Sequence, residues 1–213
     1  MSFWIKTNRF IKAIFFNQVW DVPNTENRIY LTFDDGPTPE ITEWVLAVLQ
    51  EHHIKATFFC IGNNIDKHPD IFRKLIAHGH TIGNHTYNHL KGWQTKQSEY
   101  IENTEACRKA ILKHSGTKTA SCLFRPPYGK IKPLQSRQLR KSGYKIIMWD
   151  VISMDFDKTI TPEQCLENVV KNTTPGSIVV FHDSVKAFKN LEHTLPKAIQ
   201  LLKEKGFEFG VLN

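Results

Sequence analysis

The sequence predicts an α/β fold, a distorted (β/α) barrel of about seven strands, from three observations. From residue 28 onward, short runs of β-branched and aromatic residues alternate with apolar stripes of helical spacing. Neither Gly/Ser/Pro-rich linkers nor internal repeats interrupt this alternation. The chain has 213 residues, which suits one such domain at residues 28–213. A doubly wound open sheet is the alternative arrangement of the same elements.

The predicted strands are short apolar runs that end in turns or polar residues. The first covers residues 29–33 and is followed at once by Asp34. The others cover residues 56–61, 81–82, 121–124, 144–149, 177–181 and 207–211. Because helical patterns separate these runs, consecutive strands are expected to lie parallel.

The predicted helices carry apolar residues at positions i, i+3, i+4 and i+7. The first helix shows this most fully after the turn at residues 36–39, with Ile41, Trp44, Val45, Val48 and Leu49 on one side. The later helices cover residues 66–77, 95–114, 133–142, 162–171 and 191–204. Gly79 and Gly116 follow two of them, where a glycine commonly ends a helix.

The chain is basic, with 28 Lys and Arg against 21 Asp and Glu and a formal net charge of +7. Its 40% hydrophobic content excludes a disordered chain. The charge predicts only a weak attraction to anionic surfaces. The densest basic stretch, at residues 137–145, contains a single aromatic residue, Tyr144, and so lacks the series of aromatic side chains on which bases stack. We therefore expect no specific nucleic-acid partner.

Residues 1–27 are predicted to form an N-terminal arm packed on the domain, or else an amphipathic helix at a surface. Lys6, Arg9 and Lys12 divide its apolar residues into pieces too short for a signal peptide or a membrane span. The expected location is cytoplasmic, or at the cell envelope through this segment. We expect a monomer, and the four cysteines are predicted to be free thiols, with one disulfide as the alternative.

Ionisable residues follow several of the predicted strands, and the C-terminal ends of barrel strands are where such enzymes carry their active sites. These groups are therefore expected to meet at one mouth of the barrel. They are Asp34 and Asp35, His85 and His89, Arg125 within the segment 125–129, Asp150 and Asp155, and His182 and Asp183.

His85 and His89 are four residues apart, which on one helical turn would place both imidazoles beside one divalent ion. Asp34 or Asp35 could supply a third ligand and leave a coordination position open for water, as catalytic metal sites do. The other carboxylate could then accept a proton. The alternatives are solvated histidines and, for Asp34 to Pro37, an ordinary turn.

His182 follows a buried strand and could act as a general acid, or else be a hydrogen-bonded core histidine. Asp155 could hold its ring and raise its pKa, and Arg125 could pair with an acidic residue. Pro126, Pro127 and Tyr128 could form a stiff wall whose Tyr128 N–H faces a developing oxyanion. A simple turn is the alternative for that segment.

Four motifs together resemble the polysaccharide deacetylases of carbohydrate esterase family 4, the NodB-homology domain. They are Thr32-Phe-Asp-Asp-Gly-Pro37, His85-Thr-Tyr-Asn-His89, Arg125-Pro-Pro-Tyr-Gly129 and Phe181-His-Asp183. The resemblance covers about residues 28–210. It implies a distorted barrel of NodB type that holds a divalent metal, usually Zn²⁺ but also Co²⁺ or another ion, on Asp35, His85 and His89.

The resemblance also implies the roles of the other residues. Asp34 would be the base, His182 the acid, Arg125 would orient Asp34, and Asp155 would tune His182. In the fourth family motif, commonly D-x-x-D-W, this chain has Ile152 and Phe156 in place of the first Asp and the Trp. The substrate-binding residues implied are Pro126, Tyr128, Phe156 and Val180, the last standing where the family often has leucine.

The predicted function is metal-dependent hydrolysis of the N-acetyl group of N-acetylglucosamine units in peptidoglycan or chitin-type oligosaccharides. Two alternatives remain: an O-acetyl esterase acting on a xylan-type glycan, and a catalytically silent glycan-binding module. The presence of both Asp34 and His182 argues against the silent module, because binding alone requires neither a base nor an acid.

Overall fold

A computed structural model describes residues 4–117 and 120–213 of the chain. Single turns of 3-10 helix lie at Gly92–Gln94 and Pro127–Gly129. The helices and strands of the described residues are, in order, α1 (Arg9–Ile14), β1 (Arg28–Asp34), α2 (Ile41–Glu51), β2 (Thr57–Cys60), α3 (Gly62–Lys67), α4 (Pro69–Ala77), β3 (Thr81–Asn84), α5 (Gln97–Ser115), β4 (Leu123–Phe124), α6 (Pro133–Lys141), β5 (Lys145–Ile146), β6 (Val151–Ile152), α7 (Pro162–Asn172), β7 (Ile178–His182), α8 (Phe188–Glu204) and β8 (Glu208–Gly210).

The sheet is parallel in all its strand pairings, in the order β5-β4-β3-β2-β1-β7-β6, and β8 pairs with the start of β1. Its two edge strands, β5 and β6, are joined by residues 147–150 alone. A connection of that length reaches roughly 15 Å, so the two edges must come close together. The sheet is therefore curled into a half-barrel, which confirms the predicted distorted barrel over the open sheet.

Two predicted elements are divided in the structure. The strand predicted at 144–149 forms only β5, and the chain then crosses to the opposite edge and continues as β6. The helix predicted at 66–77 is broken at His68, which has φ −130° and ψ 56°. The cause is Pro69, because a proline disfavours helical dihedrals in the residue before it.

Alternation along β1 separates the helix-facing side chains from those inside the barrel. Leu31 and Phe33 belong to the main apolar cluster, which includes residues of α2, α4, α5 and α8. Tyr30 belongs to a second cluster with Phe59 and other strand residues. Asp34 shares the parity of Tyr30, so its side chain enters the barrel interior at the C-terminal end of the strand.

The N-terminal segment bridges the two sheet edges. Val19 pairs with Ile147 beyond β5, and Lys6 pairs with Val151 in β6. The short helix α1 lies between these contacts and buries none of its own residues. No helix in the described ranges is long and apolar enough to cross a bilayer. All four cysteines are free thiols, as predicted.

Candidate active site

A cleft of about 410 Å³ opens at the C-terminal ends of the strands. It brings together most of the ionisable residues singled out in the sequence. Its lining consists of Asp34, Asp35, His85, His89, Tyr128, Trp149, Ile152, Phe156, Val180, His182, Ser184, Val185 and Lys186.

Asp35, His85 and His89 form a compact set of three metal-ligating side chains, with ligand atoms all within 4.8 Å of one another. Asp35 Oδ1 lies 3.3 Å from His89 Nε2 and 3.8 Å from His85 Nε2. That oxygen is buried and has no hydrogen-bond partner among the described residues. A buried polar atom without a partner is costly, and a cation between the three side chains would satisfy it.

The protonation of the two histidines also suits a metal. Burial, followed by the neighbouring charge of His89, holds the pKa of His85 well below its usual value. Burial likewise lowers the pKa of His89, although Asp35 opposes the shift. The Nδ1 of His85 lies 2.8 Å from the carbonyl oxygen of Arg125, so Nε2, on the side of Asp35, is the nitrogen available to a metal. Neutral imidazole is the form that binds metals, so the donor set fits a divalent ion.

The His85 to His89 segment is a loop and not the helical turn on which the spacing argument relied. Thr86 and His89 have φ values of 60° and 54°, in the left-handed region that a helix excludes. The side-chain oxygen of Asn84 accepts from the Thr86 N–H at 2.9 Å, and the Thr86 hydroxyl accepts from the Leu90 N–H at 3.1 Å. These local bonds fold the loop so that both imidazoles still reach Asp35.

Asp34 is held by a buried arginine. Its Oδ1 accepts a 2.7 Å hydrogen bond from Arg125 Nη1, and both side chains are almost fully inaccessible to solvent. The guanidinium also donates to the Thr32 hydroxyl and the Met148 carbonyl, and it lies 4.1 Å from the ring centre of Phe59. The arginine therefore fixes the position of the Asp34 carboxylate beside the metal-ligand set.

His182 is held by a buried carboxylate. Asp155 Oδ1 lies 2.7 Å from His182 Nδ1, and Asp155 Oδ2 accepts the His182 backbone N–H at 2.8 Å. Burial opposes protonation of the imidazole, but Asp155, with smaller contributions from Asp35 and Asp34, raises the pKa of His182 to about 9. His182 is consequently protonated at neutral pH, as a general acid must be.

Asp183 was expected at the mouth, but it lies under the loop that carries Asp35. Its Oδ1 accepts from the Gly36 N–H at 3.0 Å and its Oδ2 from the Thr42 hydroxyl at 2.5 Å. A Cβ on Gly36 would come within 2.0 Å of Asp183 Oδ2, so glycine is required for this approach. Asp35 itself has φ 88°, a strained conformation that this contact helps to hold.

Asp150 does not join the active site, contrary to the sequence prediction. It is buried and accepts from Lys6 Nζ at 2.6 Å, Lys12 Nζ at 2.5 Å and the Ser177 hydroxyl at 2.5 Å. The lysines come from the N-terminal segment, more than a hundred positions earlier in the chain. Such a distant pairing leaves no local signal in the sequence.

Aromatic and aliphatic side chains form the walls of the cleft. The ring of Tyr128 lies 4.6 Å from that of His89, and the Phe156 ring meets His182 edge-on at 4.9 Å. Val180 also lines the cleft, whereas Pro126 is buried and is not part of the lining, so a substrate contact for it stays a prediction.

Sequence reasoning missed four residues of the cleft lining, which are Trp149, Ser184, Val185 and Lys186. Trp149 ends the predicted fifth strand, and Lys186 follows His182 by four positions, so their closeness to strand ends was the available signal.

Comparison with known proteins gives a consistent result. The sequence model described as polysaccharide deacetylase matches residues 21–147. A peptidoglycan-N-acetylglucosamine deacetylase of Bacillus cereus is 34% identical over 191 residues, covering 89% of this chain and 68% of that protein. A chitooligosaccharide deacetylase of Azorhizobium caulinodans is 33% identical over 162 residues, or 76% of each protein.

Solved structures agree with the sequence comparison. The crystal structure of the Bc1960 peptidoglycan N-acetylglucosamine deacetylase superposes with a TM-score of 0.88 and 32% identity, over 95% of this chain and 94% of that one. The Xyl-CE4 domain of a multidomain xylanase from the hindgut metagenome of Trinervitermes trinervoides gives a TM-score of 0.79 and 28% identity, over 88% of each chain.

Proposed function

Because the chain belongs to the polysaccharide deacetylase family, we propose that it hydrolyses the N-acetyl group of N-acetylglucosamine units in peptidoglycan or chitin-type oligosaccharides. The observation that carries this proposal is that one cleft contains two ionisable side chains, each fixed by its own buried partner. Asp34 is bound to Arg125, and His182 is bound to Asp155. A carboxylate base and an imidazolium acid are the two proton-transfer groups that amide hydrolysis needs.

Asp35, His85 and His89 would hold the divalent metal, and their donor set of one carboxylate and two imidazoles is typical of catalytic zinc. Co²⁺ or another divalent ion could use the same donors. When bound, the ion lowers the pKa of a water molecule and polarises the acetyl carbonyl.

Asp34 takes a proton from the attacking water. The water oxygen adds to the acetyl carbon, and the C–N bond then breaks as His182 gives its proton to the departing amine. The products are acetate and a free glucosamine unit. Arg125 keeps the Asp34 carboxylate oriented for the first transfer, and Asp155 keeps His182 protonated for the second.

The remaining predicted residues act on the substrate. The backbone N–H of Tyr128 is proposed to donate to the oxyanion. Tyr128 has a strained left-handed backbone, with φ 60° and ψ 10°, so its N–H does not point along a helix axis. Phe156 and Val180 supply apolar surface beside His182 for the sugar ring and the acetyl methyl group.

Acetate release from N-acetylchitopentaose, peptidoglycan and O-acetylated xylan by the zinc-loaded protein tests this assignment. The proposal predicts faster release from at least one N-acetylated glycan than from the xylan. Faster release from the xylan would favour the O-acetyl esterase instead. Binding of a glycan without release from any of the three would favour the silent binding module.

A further inference from the structure

A second cleft adjoins the catalytic one. It has a volume of about 260 Å³ and lies between residues 4–20 of the N-terminal arm and the loop that carries Tyr128. Tyr128 and Trp149 line both clefts, so the two spaces lie side by side. Trp4 and Trp20, from the arm, also line it. We refer to this second space as the arm cleft.

We propose that the arm cleft binds a further sugar unit of the same N-acetylated glycan chain that is deacetylated in the catalytic cleft. The identity of this ligand rests on the proposed function. The arm would thereby make the enzyme select for longer glycans.

The chemistry of the lining fits a hexopyranose. Four aromatic side chains surround the arm cleft, and the apolar C–H face of a sugar ring stacks on such surfaces. Trp4 is 56% exposed and Tyr128 is 48% exposed, so much of their ring surface is available to a ligand. Thr7 and Lys130 add polar groups to the lining, and the Lys130 ammonium lies 4.1 Å from the ring centre of Trp93, outside the cleft lining. An apolar surface with a few polar groups is the usual character of a ligand site.

The arm is fixed to the barrel where it forms this cleft. The Thr7 N–H donates to the Asp150 carbonyl and the Thr7 hydroxyl to the Trp149 carbonyl, both at 2.8 Å. The Ile152 N–H donates to the carbonyl of Ile5, the residue after Trp4, at 3.0 Å. Because these bonds fix the arm before a ligand binds, binding avoids part of the entropic cost of ordering it. Trp4 is therefore placed to contribute affinity.

The other side of the arm is fixed in the same way. The Met148 N–H donates to the carbonyl of Val19 at 2.7 Å, and this contact places Trp20 beside the same strand end. Gly129 allows the Tyr128 loop to pack closely against Trp149, because a Cβ at residue 129 would come within 2.6 Å of Trp149 Cη2. Trp149 is thus held between the Tyr128 loop and the arm.

Trp4 and Trp20 do not line the catalytic cleft. They also precede residue 21, where the match to the family begins. Their contribution should therefore appear as a dependence on glycan length and not as a change in the chemical step.

Trp4→Ala tests the proposal, with Phe10→Ala as the matched control. Phe10 lies on the same arm and is 70% exposed, but it does not line the arm cleft. We expect Trp4→Ala to lower the ratio of kcat/KM on N-acetylchitopentaose to that on N,N′-diacetylchitobiose by about five- to tenfold. Trp4→Phe should retain part of this ratio, and Phe10→Ala should keep the wild-type ratio. An unchanged ratio in Trp4→Ala, or an equal fall in Phe10→Ala, would overturn the proposal.

Calorimetric binding of the pentasaccharide to chelator-treated protein separates this site from the proposed function. We expect Trp4→Ala to raise Kd about five- to tenfold relative to wild type and Phe10→Ala. If the wild type released no acetate but this difference remained, the proposed function would fail and the arm site would stand. Equal Kd values in all three proteins would refute the arm site even with deacetylation intact.

Discussion

Asp34 and His182 are direct register partners on the neighbouring parallel strands β1 and β7. The Asp183 N–H donates to the Asp34 carbonyl at 3.1 Å, which continues the pairing into the loop. The proposed base and acid therefore leave the sheet at the same level, and their separation is set by the strand spacing. Each side chain also has its own buried partner, Arg125 for Asp34 and Asp155 for His182.

Asp34→Asn should abolish proton abstraction while keeping the shape of the side chain. We expect kcat on N-acetylchitopentaose to fall by about 10²- to 10⁴-fold, with one equivalent of zinc still bound. Acetate assays and metal analysis of the same sample check both parts. Asp70→Asn, at an exposed acidic position on α4, is the control and should keep wild-type kcat. Wild-type turnover in Asp34→Asn would exclude it as the base.

Asp155→Asn should change the pH dependence of the reaction. In the wild type, His182 loses its proton as pH rises through its raised pKa of about 9, so kcat/KM falls on the alkaline side. Removing the Asp155 charge leaves burial, which lowers the pKa of the imidazole, opposed only by the smaller contributions of Asp35 and Asp34. The alkaline limb should therefore move to lower pH. Profiles of kcat/KM against pH test this, and an unmoved limb would show that His182 is not the titrating acid.

His89→Asn should remove one imidazole ligand while keeping a residue type that tolerates the left-handed backbone at this position, where φ is 54°. We expect bound zinc to fall well below one equivalent after dialysis, because loss of a ligand should cost at least the roughly 10- to 100-fold in affinity that loss of a ligand's hydrogen-bond partner costs. His53→Asn is the control, because His53 is exposed, lies far from the cleft and also has a left-handed backbone. It should keep the wild-type zinc content. Retention of full zinc by His89→Asn would place the metal elsewhere.

Arg125→Ala should destabilise the fold as well as the site. It leaves the Asp34 carboxylate buried without its partner, and we expect a loss of about 3–5 kcal/mol in the free energy of unfolding. Denaturant unfolding measures this change. The double variant Arg125→Met with Asp34→Asn removes both charges and should recover part of the loss. A double variant less stable than Arg125→Ala would argue against the buried charge as the cause.

Much of the site could be predicted because alternation in a strand is local. The parity of β1 places Asp34 inside the barrel. The spacing left Asp34 and Asp35 open as the third ligand, and the family resemblance chose Asp35, which the structure brings together with His85 and His89. The conformation of the segment from His85 to His89 could not be read from spacing, because side-chain bonds from Asn84 and Thr86 override a helical turn.

Long-range contacts account for the other differences. Asp150 follows a strand as a catalytic residue would, but lysines from the arm bind it at the barrel edge. Trp149 enters the cleft only because the sheet curls until β5 and β6 come near each other. Neither outcome is encoded in a short stretch of sequence.

Acetate release from N-acetylchitopentaose and peptidoglycan, measured before and after metal removal, tests the central claim most directly. We predict that chelated protein releases almost no acetate and that one equivalent of zinc restores release. Undiminished release by fully chelated protein would contradict a reaction that depends on the site formed by Asp35, His85 and His89.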